Sequence, residues 1–233
     1  MRIFSRILIV SILSFLALTS VAFAKGKKAS KTSGSVGGTI TSVPVMVLPP
    51  STEKTTLDNL QAAFNGESNA NARYLEFAKK ADAEGYGKIA GLFRAAARAE
   101  QVHFEHHAKI IKELGGVPAA TIETPVVKST AENVKAAFEG ETYETTMMYP
   151  GFLVKAKQDK IPGAVDAFED AGKAEAVHAA LYKKAMQDMN AWKGQGKGNN
   201  FYVCPVCGNV VEKMDFMRCP ICNTGKKMFM TVK

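Results

Sequence analysis

No cysteine occurs in the first 203 residues of this 233-residue chain; all four stand between 204 and 222. A disulfide framework is therefore excluded for the bulk of the fold. The formal charge of +8 is not gathered into a stripe, and Arg2 and Arg6 belong to a segment that reads as removable, so no nucleic-acid partner is expected. The N-terminus lacks a twin-arginine pair, since IFS separates Arg2 from Arg6, and it has no cysteine near its cleavage site to carry a lipid.

What is present at the N-terminus is a positive start, an apolar run from Ile7, and Ala22-Phe23-Ala24 before Lys25. Residues 1–24 read as a signal peptide closed by an A-x-A site. The expectation is export, to a bacterial periplasm or the cell exterior. The alternative is an uncleaved N-terminal membrane anchor, because a run of 18 residues from Ile7 to Ala24 is at the short end of what spans a bilayer. Residues 25–54 are rich in Ser, Gly, Lys and Pro without a helical period and read as a flexible linker.

From Leu57 the spacing turns helical. Positions 57, 60, 64, 67, 71, 74, 78 and 81 hold Leu, Leu, Phe, Glu, Asn, Tyr, Ala and Ala, an inward seam with one member, Glu67, that does not suit a core. Gly85 and Gly87 are expected to break this helix. A second seam at 89, 93, 96, 100, 103, 107, 110 and 114 holds Ile, Phe, Ala, Glu, His, His, Ile and Leu, and Gly115, Gly116 and Pro118 end it. After a longer connection the pattern returns. LQAAFNGE at 60–67 recurs as VKAAFEGE at 134–141, an offset of 74, and AEQVH at 99–103 recurs as AEAVH at 174–178, an offset of 75. The third helix is expected from about Thr130, with a bend or bulge near Pro150, where the ring removes a helical hydrogen bond. The fourth is expected from Pro162, with Ala164, Phe168, Ala171, Glu175, His178 and Tyr182 on its seam.

Glu and His three apart on a helix point the same way. Buried carboxylates repel one another and lose hydration, so they need a cation. No Lys or Arg lies on the inward seams; Arg73 and Lys80 fall beside the first. A metal is the partner that fits. Two helices giving one inward Glu each, and two giving Glu-x-x-His each, match the arrangement already described for ferritin-like di-iron carboxylate bundles. The expected fold is an all-α ferritin-like four-helix bundle over 55–193, followed by a small four-cysteine domain over 199–233. Glu144 stands one turn beyond Glu141, where the first half has Ala70. The candidate ligands are then Glu67, Glu100, His103, Glu141, Glu144, Glu175 and His178. Carboxylate and imidazole ligands suit iron or manganese, with zinc open. Tyr74 and Tyr149 read as hydrogen-bond donors to the ligands or equally as core tyrosines. His107 is placed near the site, His106 on the surface, and Met147 and Met148 in the core.

Cys204-x-x-Cys207 and Cys219-x-x-Cys222 enclose 11 residues, the pattern of a tetrahedral four-sulfur site. Zinc, iron and, in an oxidising compartment, disulfides are all open at this point. Asn223 follows the last cysteine, where a left-handed backbone is expected and Asn tolerates it.

From about residue 55 to its end the chain resembles the rubrerythrin family. The residues that carry the resemblance are GES at 66–68, AEQVH, GETYE at 140–144, MYP at 148–150, AEAVH and the two CPxC knuckles. The resemblance implies a di-iron bundle with a rubredoxin-like domain whose single iron, or zinc in its place, is held by the four cysteines. It implies a peroxidase that reduces hydrogen peroxide to water in oxidative stress defence. Glu100 and Glu175 would bridge the two non-haem irons, Glu67 and Glu141 would be terminal carboxylates and His178 a terminal ligand. His103 and Glu144 would exchange at one iron, and Tyr74 and Tyr149 would be the tyrosines standing behind the ligands. An electron-donor protein and a head-to-tail homodimer are the implied partners. The competing reading is an exported ferroxidase, an iron-handling ferritin-like protein.

Overall fold

The structure, a computed structural model, describes residues 54–194 and 200–233. The expected signal peptide and nearly all of the expected linker lie outside the described residues. Among the described residues, no helix is long and apolar enough to cross a membrane.

Helix α1 spans Thr56–Ala83 and opens with a capping box: the Thr55 hydroxyl accepts from the Asp58 amide, and the Asp58 carboxylate accepts from the Thr55 amide. Gly85, at φ 81, turns the chain. Gly87 does not break the structure as expected; it is the first residue of α2, Gly87–Glu113. Helix α3, Thr130–Tyr143, has a second capping box formed by Ser129 and Glu132. The long third helix then passes through a π-helical turn, Glu144–Met148, before continuing as α4, Tyr149–Gln158. The irregularity anticipated at Pro150 therefore begins before the proline, at Glu144. Helix α5, Pro162–Gln187, begins on its proline as expected, and a short α6 covers Met189–Trp192.

The internal repeat is also a repeat of contacts. Asp159, which ends α4, accepts hydrogen bonds from the Thr56 amide and hydroxyl at 3.1 and 2.7 Å. Glu84, which ends α1, accepts from the Thr130 amide at 2.8 Å. Each half thus caps the first helix of the other with a carboxylate, where the helix dipole favours negative charge.

Two apolar clusters plug the bundle on either side of a polar waist. One contains Tyr74, Phe77, Phe93 and Tyr182; the other contains Leu60, Ile110, Tyr149 and Phe168. Small side chains on α2, Ala95, Ala96, Ala97 and Ala99, are all buried and let neighbouring helices approach closely.

The C-terminal unit is a three-stranded antiparallel sheet in the order β2-β1-β3. Strand β1 is Phe201–Val203, β2 Val210–Val211 and β3 Met230–Val232. Phe201, Val203 and Val210 are fully buried in the same cluster as Tyr74 and Phe93, so sheet and bundle share a core. Around this seam, Glu212 pairs with Lys88 at 3.0 Å and with Lys184. Arg94 donates to the Lys233 carbonyl and pairs with Asp82 at 2.8 Å.

Candidate metal centre

Glu67 from α1, Glu100 and His103 from α2, Glu141 from α3, and Glu175 and His178 from α5 all turn into the waist and are buried. Their ligand atoms form two groups, each drawn together within 4.8 Å. One is Glu67, Glu100, His103 and Glu175; the other is Glu100, Glu141, Glu175 and His178. Glu100 and Glu175 belong to both. That is the layout of two ions sharing two carboxylates, each closed by one further Glu and one His.

The hydrogen bonding orients every group. Tyr74 donates to Glu141 Oε1 at 2.7 Å, and Tyr149 donates to Glu67 Oε1. The other oxygens of those carboxylates, Glu141 Oε2 and Glu67 Oε2, are buried without a hydrogen-bond partner. Both histidines turn Nε2 outward, His103 to the Cys207 carbonyl and His178 to the Gly208 carbonyl, each at 3.0 Å. A carbonyl only accepts, so Nε2 carries the proton and Nδ1 faces inward. His103 Nδ1 lies 2.7 Å from Glu175 Oε1, and His178 Nδ1 lies 2.6 Å from Glu175 Oε2. Neither Glu175 oxygen nor His178 Nδ1 makes a hydrogen bond of proper direction, so these atoms converge on common points more than on one another. The donor set, the shared carboxylates and the orphaned inward atoms fit two metal ions.

The electrostatics agree. Burial, with Glu100 and Glu175 close by, pushes Glu67 well above the usual carboxylate range and Glu141 up to about 8. Burial and Glu175 likewise raise Glu100. Burial alone would lower His103 and His178, but the Glu175 carboxylate and its neighbours outweigh it and hold both well above the usual imidazole value. Burial also opposes ionisation of Glu175, yet the two histidines overcome it and hold Glu175 below its ordinary value. Each raised group favours its protonated form, and a cation bound in the waist would compete with those protons. Burial first, and Glu141 and Glu67 next, raise Tyr74 and Tyr149 well above the usual phenol range, so both remain donors.

Glu144 is half-buried on the π turn and stands outside both ligand groups. Burial and the carboxylates of Glu67 and Glu141 push it well above its ordinary value. Among the other positions singled out, His107 is fully buried and reaches Tyr149, and His106 is half-buried where the surface was expected. Met147, within the π turn, is 66% exposed, against the expectation of a core residue. Sequence reasoning missed the carbonyls of Cys207 and Gly208. Main-chain acceptors have no residue signature, although Gly208 itself stands in the motif.

Cys204, Cys207, Cys219 and Cys222 are free thiols gathered in one cluster. Cys204 and Cys222 sulfurs are 3.5 Å apart, and those of Cys207 and Cys219 are 3.6 Å apart. Sulfurs bound at about 2.3 Å around one tetrahedral ion stand about 3.8 Å apart, so the cluster fits a metal and is not a disulfide pair. The hydrogen bond with Cys207 lowers Cys204 to about 5, toward the thiolate a metal requires. Each knuckle turns through a left-handed residue, Gly208 at φ 73 and Asn223 at φ 63, the second as expected for Asn. A Cβ on Gly208 would lie 2.2 Å from His103 Nε2, so the first knuckle touches the bundle at a position only glycine fills.

Fold and site together define a ferritin-like bundle with a carboxylate–histidine di-metal site and an attached four-cysteine centre. Residues 58–186 match the rubrerythrin family. Nigerythrin of Nitratidesulfovibrio vulgaris is 39% identical over 175 residues, which cover 75% of this chain and 85% of that protein. Rubrerythrin-2 of Clostridium acetobutylicum is 34% identical over 176 residues, 75% of this chain and 95% of that one. A solved structure of nigerythrin in its fully reduced, all-ferrous state superposes with a TM-score of 0.71 at 37% identity, over 80% of this chain and 91% of that chain. The chain belongs to the rubrerythrin family.

Proposed function

We propose that this chain is a non-haem di-iron peroxidase that reduces hydrogen peroxide to water, with electrons relayed through an iron held by Cys204, Cys207, Cys219 and Cys222. The observation that carries this reading is the direct bridge between the two metal sites: Cys207 belongs to one cluster, and its carbonyl accepts the His103 Nε2 proton of the other at 3.0 Å. A storage protein has no need of an attached one-electron centre, so the bridge favours turnover over the ferroxidase reading.

The reaction consumes one peroxide, two electrons and two protons and releases two waters. Two ferrous ions, when bound, supply two electrons, one from each. The residues of this chain supply the rest. Glu100 and Glu175 would hold both ions, Glu67 and Glu141 would each hold one, and His178 Nδ1 would stay with the Glu141 end. His103 and Glu144 would be the alternative ligands at the Glu67 end, a reading supported by Glu144 standing just outside the ligand groups. Tyr74 and Tyr149 keep their phenol protons on the terminal carboxylates. The dry waist excludes bulk water from the bridging carboxylates, which are 0% exposed.

The remaining parts of the proposal are export, supported by residues 1–24, a separate electron-donor protein, and a head-to-tail homodimer. In that dimer the knuckle contacts to His103 and His178 would be exchanged between protomers. The test is metal content and the optical spectrum of protein recovered from its own compartment. About three irons per chain with a ferric tetrathiolate spectrum, and oxidation of the reduced protein by stoichiometric peroxide, is the expected result. Zinc or oxidised cysteines in the knuckles would leave no internal electron carrier and would turn the assignment to the ferroxidase.

A further inference from the structure

Glu144 apart, which has only Ala70 as its counterpart, the two ends of the di-metal site are built from equivalent residues with one exception. At the Glu141 end, Tyr74 packs with Phe93 and Tyr182, with ring centroids 6.0 and 5.7 Å away. At the Glu67 end, Tyr149 packs with Phe168 and His107, each 6.0 Å away. Phe93 and Phe168 are 75 positions apart, and so are His107 and Tyr182. The repeat thus places His107 in one half where the other half has Tyr182. The substitution changes the hydrogen bonding. The Tyr182 hydroxyl has no partner among the described residues, whereas His107 Nε2 lies 3.1 Å from the Tyr149 hydroxyl.

We propose that His107 is a positioning residue which, as the Nε2–H tautomer, donates to the Tyr149 oxygen and so directs the single phenol proton onto Glu67, making the Glu67 end of the di-metal site unlike the Glu141 end. The inference rests on the di-metal site alone and not on the peroxide reaction.

Three observations carry it. The Tyr149 oxygen contacts both Glu67 Oε1 and His107 Nε2 but has one proton. A Glu67 carboxylate holding a cation has no proton to give, so the phenol must donate to Glu67, and His107 must then donate to the phenol. Second, His107 Nδ1 is buried without a partner. An unpartnered lone pair costs less than a buried N–H with no acceptor, so the proton belongs on Nε2. Third, His107 is 0% exposed and packs against the rings of Tyr149 and Phe168. Burial, with His103 nearby, pushes it down to about 3, so the ring is neutral with a single N–H. A phenol that accepts one hydrogen bond donates a stronger one. Glu67 is therefore a weaker donor to its ion than Glu141, at the same end where Glu144 waits beyond the ligand group.

The test uses the full chain loaded with zinc and with cobalt(II). In the zinc form, nitrogen-15 NMR of the His107 ring should show a neutral Nε2–H tautomer; an Nδ1–H tautomer or an imidazolium would overturn the proposal. In the cobalt form, the paramagnetically shifted ring protons of His103 report the Glu67 end and those of His178 the Glu141 end. His107→Tyr, which copies the other half, should move the His103 signals and leave the His178 signals in place. His107→Gln, which keeps an N–H donor, should restore the wild-type His103 shifts. Equal movement at both ends, no movement, or failure of Gln to restore would each refute it. If the Tyr variant does not fold, the ring tautomer and the Gln variant still decide the matter.

Discussion

Gly208→Ala tests how the four-cysteine unit reaches the di-metal site. The new Cβ would meet His103 Nε2 at 2.2 Å, and the backbone there is at φ 73, so the docked loop cannot persist. The left-handed conformation costs an alanine about 1 kcal/mol more than glycine. Releasing the loop forfeits two hydrogen bonds worth about 1 kcal/mol each, so local retreat costs about 3 kcal/mol in all. Release of the whole sheet would expose Phe201, Val203 and Val210, each 0% exposed, at about 1.5–3 kcal/mol apiece. Local retreat is cheaper, so the sheet stays and the knuckle withdraws. The Nε2 protons of His103 and His178 should then exchange with solvent, while the amides of β1 and β3 tumble with the bundle. With its ring tautomers no longer fixed, the di-metal site should bind zinc at least tenfold more weakly, the usual effect of losing a partner behind a ligand. Gly115→Ala is the control, because its φ is 80 and nothing lies within 4 Å; it should cost about 1 kcal/mol of stability and leave both histidines protected. Protected Nε2 protons in Gly208→Ala, measured by NMR in the zinc form, would refute the docking argument.

The metal-free bundle should melt at lower temperature at pH 9 than at pH 6. Glu141, raised to about 8 by burial, adds stability that is present below its unfolded value near 4.5 and lost as pH rises through 8. His103 and His178, also raised, act in the same direction, while Glu175, held low, adds stability lost only on the acid side; calorimetry with a chelator measures the difference. Metal affinity should climb over the same interval as ligand protons are displaced, and a flat titration would count against the proton-filled waist. Tyr149→Phe and Tyr74→Phe should each destabilise the metal-free protein by about 1–3 kcal/mol, because each leaves a buried carboxyl oxygen without its donor. Glu144→Ala should keep both bundle metals but slow peroxide turnover, whereas a Cys204→Ser, Cys219→Ser double variant should keep the bundle metals and lose catalytic cycling. Unchanged turnover in the first, or full cycling in the second, measured with a dithionite-reduced protein and peroxide, would remove those groups from the mechanism.

Much of the architecture was legible because it is periodic. The seams of α1, α2 and α5 could be read from apolar spacing, and the inward Glu and His residues stood out as members that no core would choose. The paired cysteines carried their geometry in their spacing. The same reasoning stumbled where main-chain geometry decides. Gly87 read as a breaker, yet a single left-handed residue, Gly85, is enough to reverse the chain and leaves Gly87 free to start α2. Met147 read as core, yet it lies within the π turn and is exposed. The capping of α1 by Asp159 and of α3 by Glu84 joins residues 103 and 46 positions apart, and no local pattern announces such a partner.

One numerical oddity of the sequence now has a physical cause. The two halves repeat at an offset of 74 as far as Glu141 and at 75 from Tyr149 onward. The extra residue is absorbed by the π turn Glu144–Met148. Tyr74 follows Glu67 by seven positions on a regular helix, whereas Tyr149 follows Glu141 by eight, and yet each tyrosine reaches the terminal carboxylate of the opposite half. A π turn takes up one residue without rotating the helix beyond it, so the phenol keeps its place while the residues inside the turn are re-aimed. Glu144 is one of them, and the first half, with Ala70 on an unbroken helix, has neither the turn nor the carboxylate. The insertion and the extra carboxylate therefore belong together. Deleting Thr146 should restore a regular helix, keep Tyr149 on Glu67, and carry Glu144 away from the waist. The deletion should leave zinc binding intact while abolishing any exchange of Glu144 with His103, and a crystal structure with Tyr149 displaced from Glu67 would show that the turn serves the phenol and not the carboxylate.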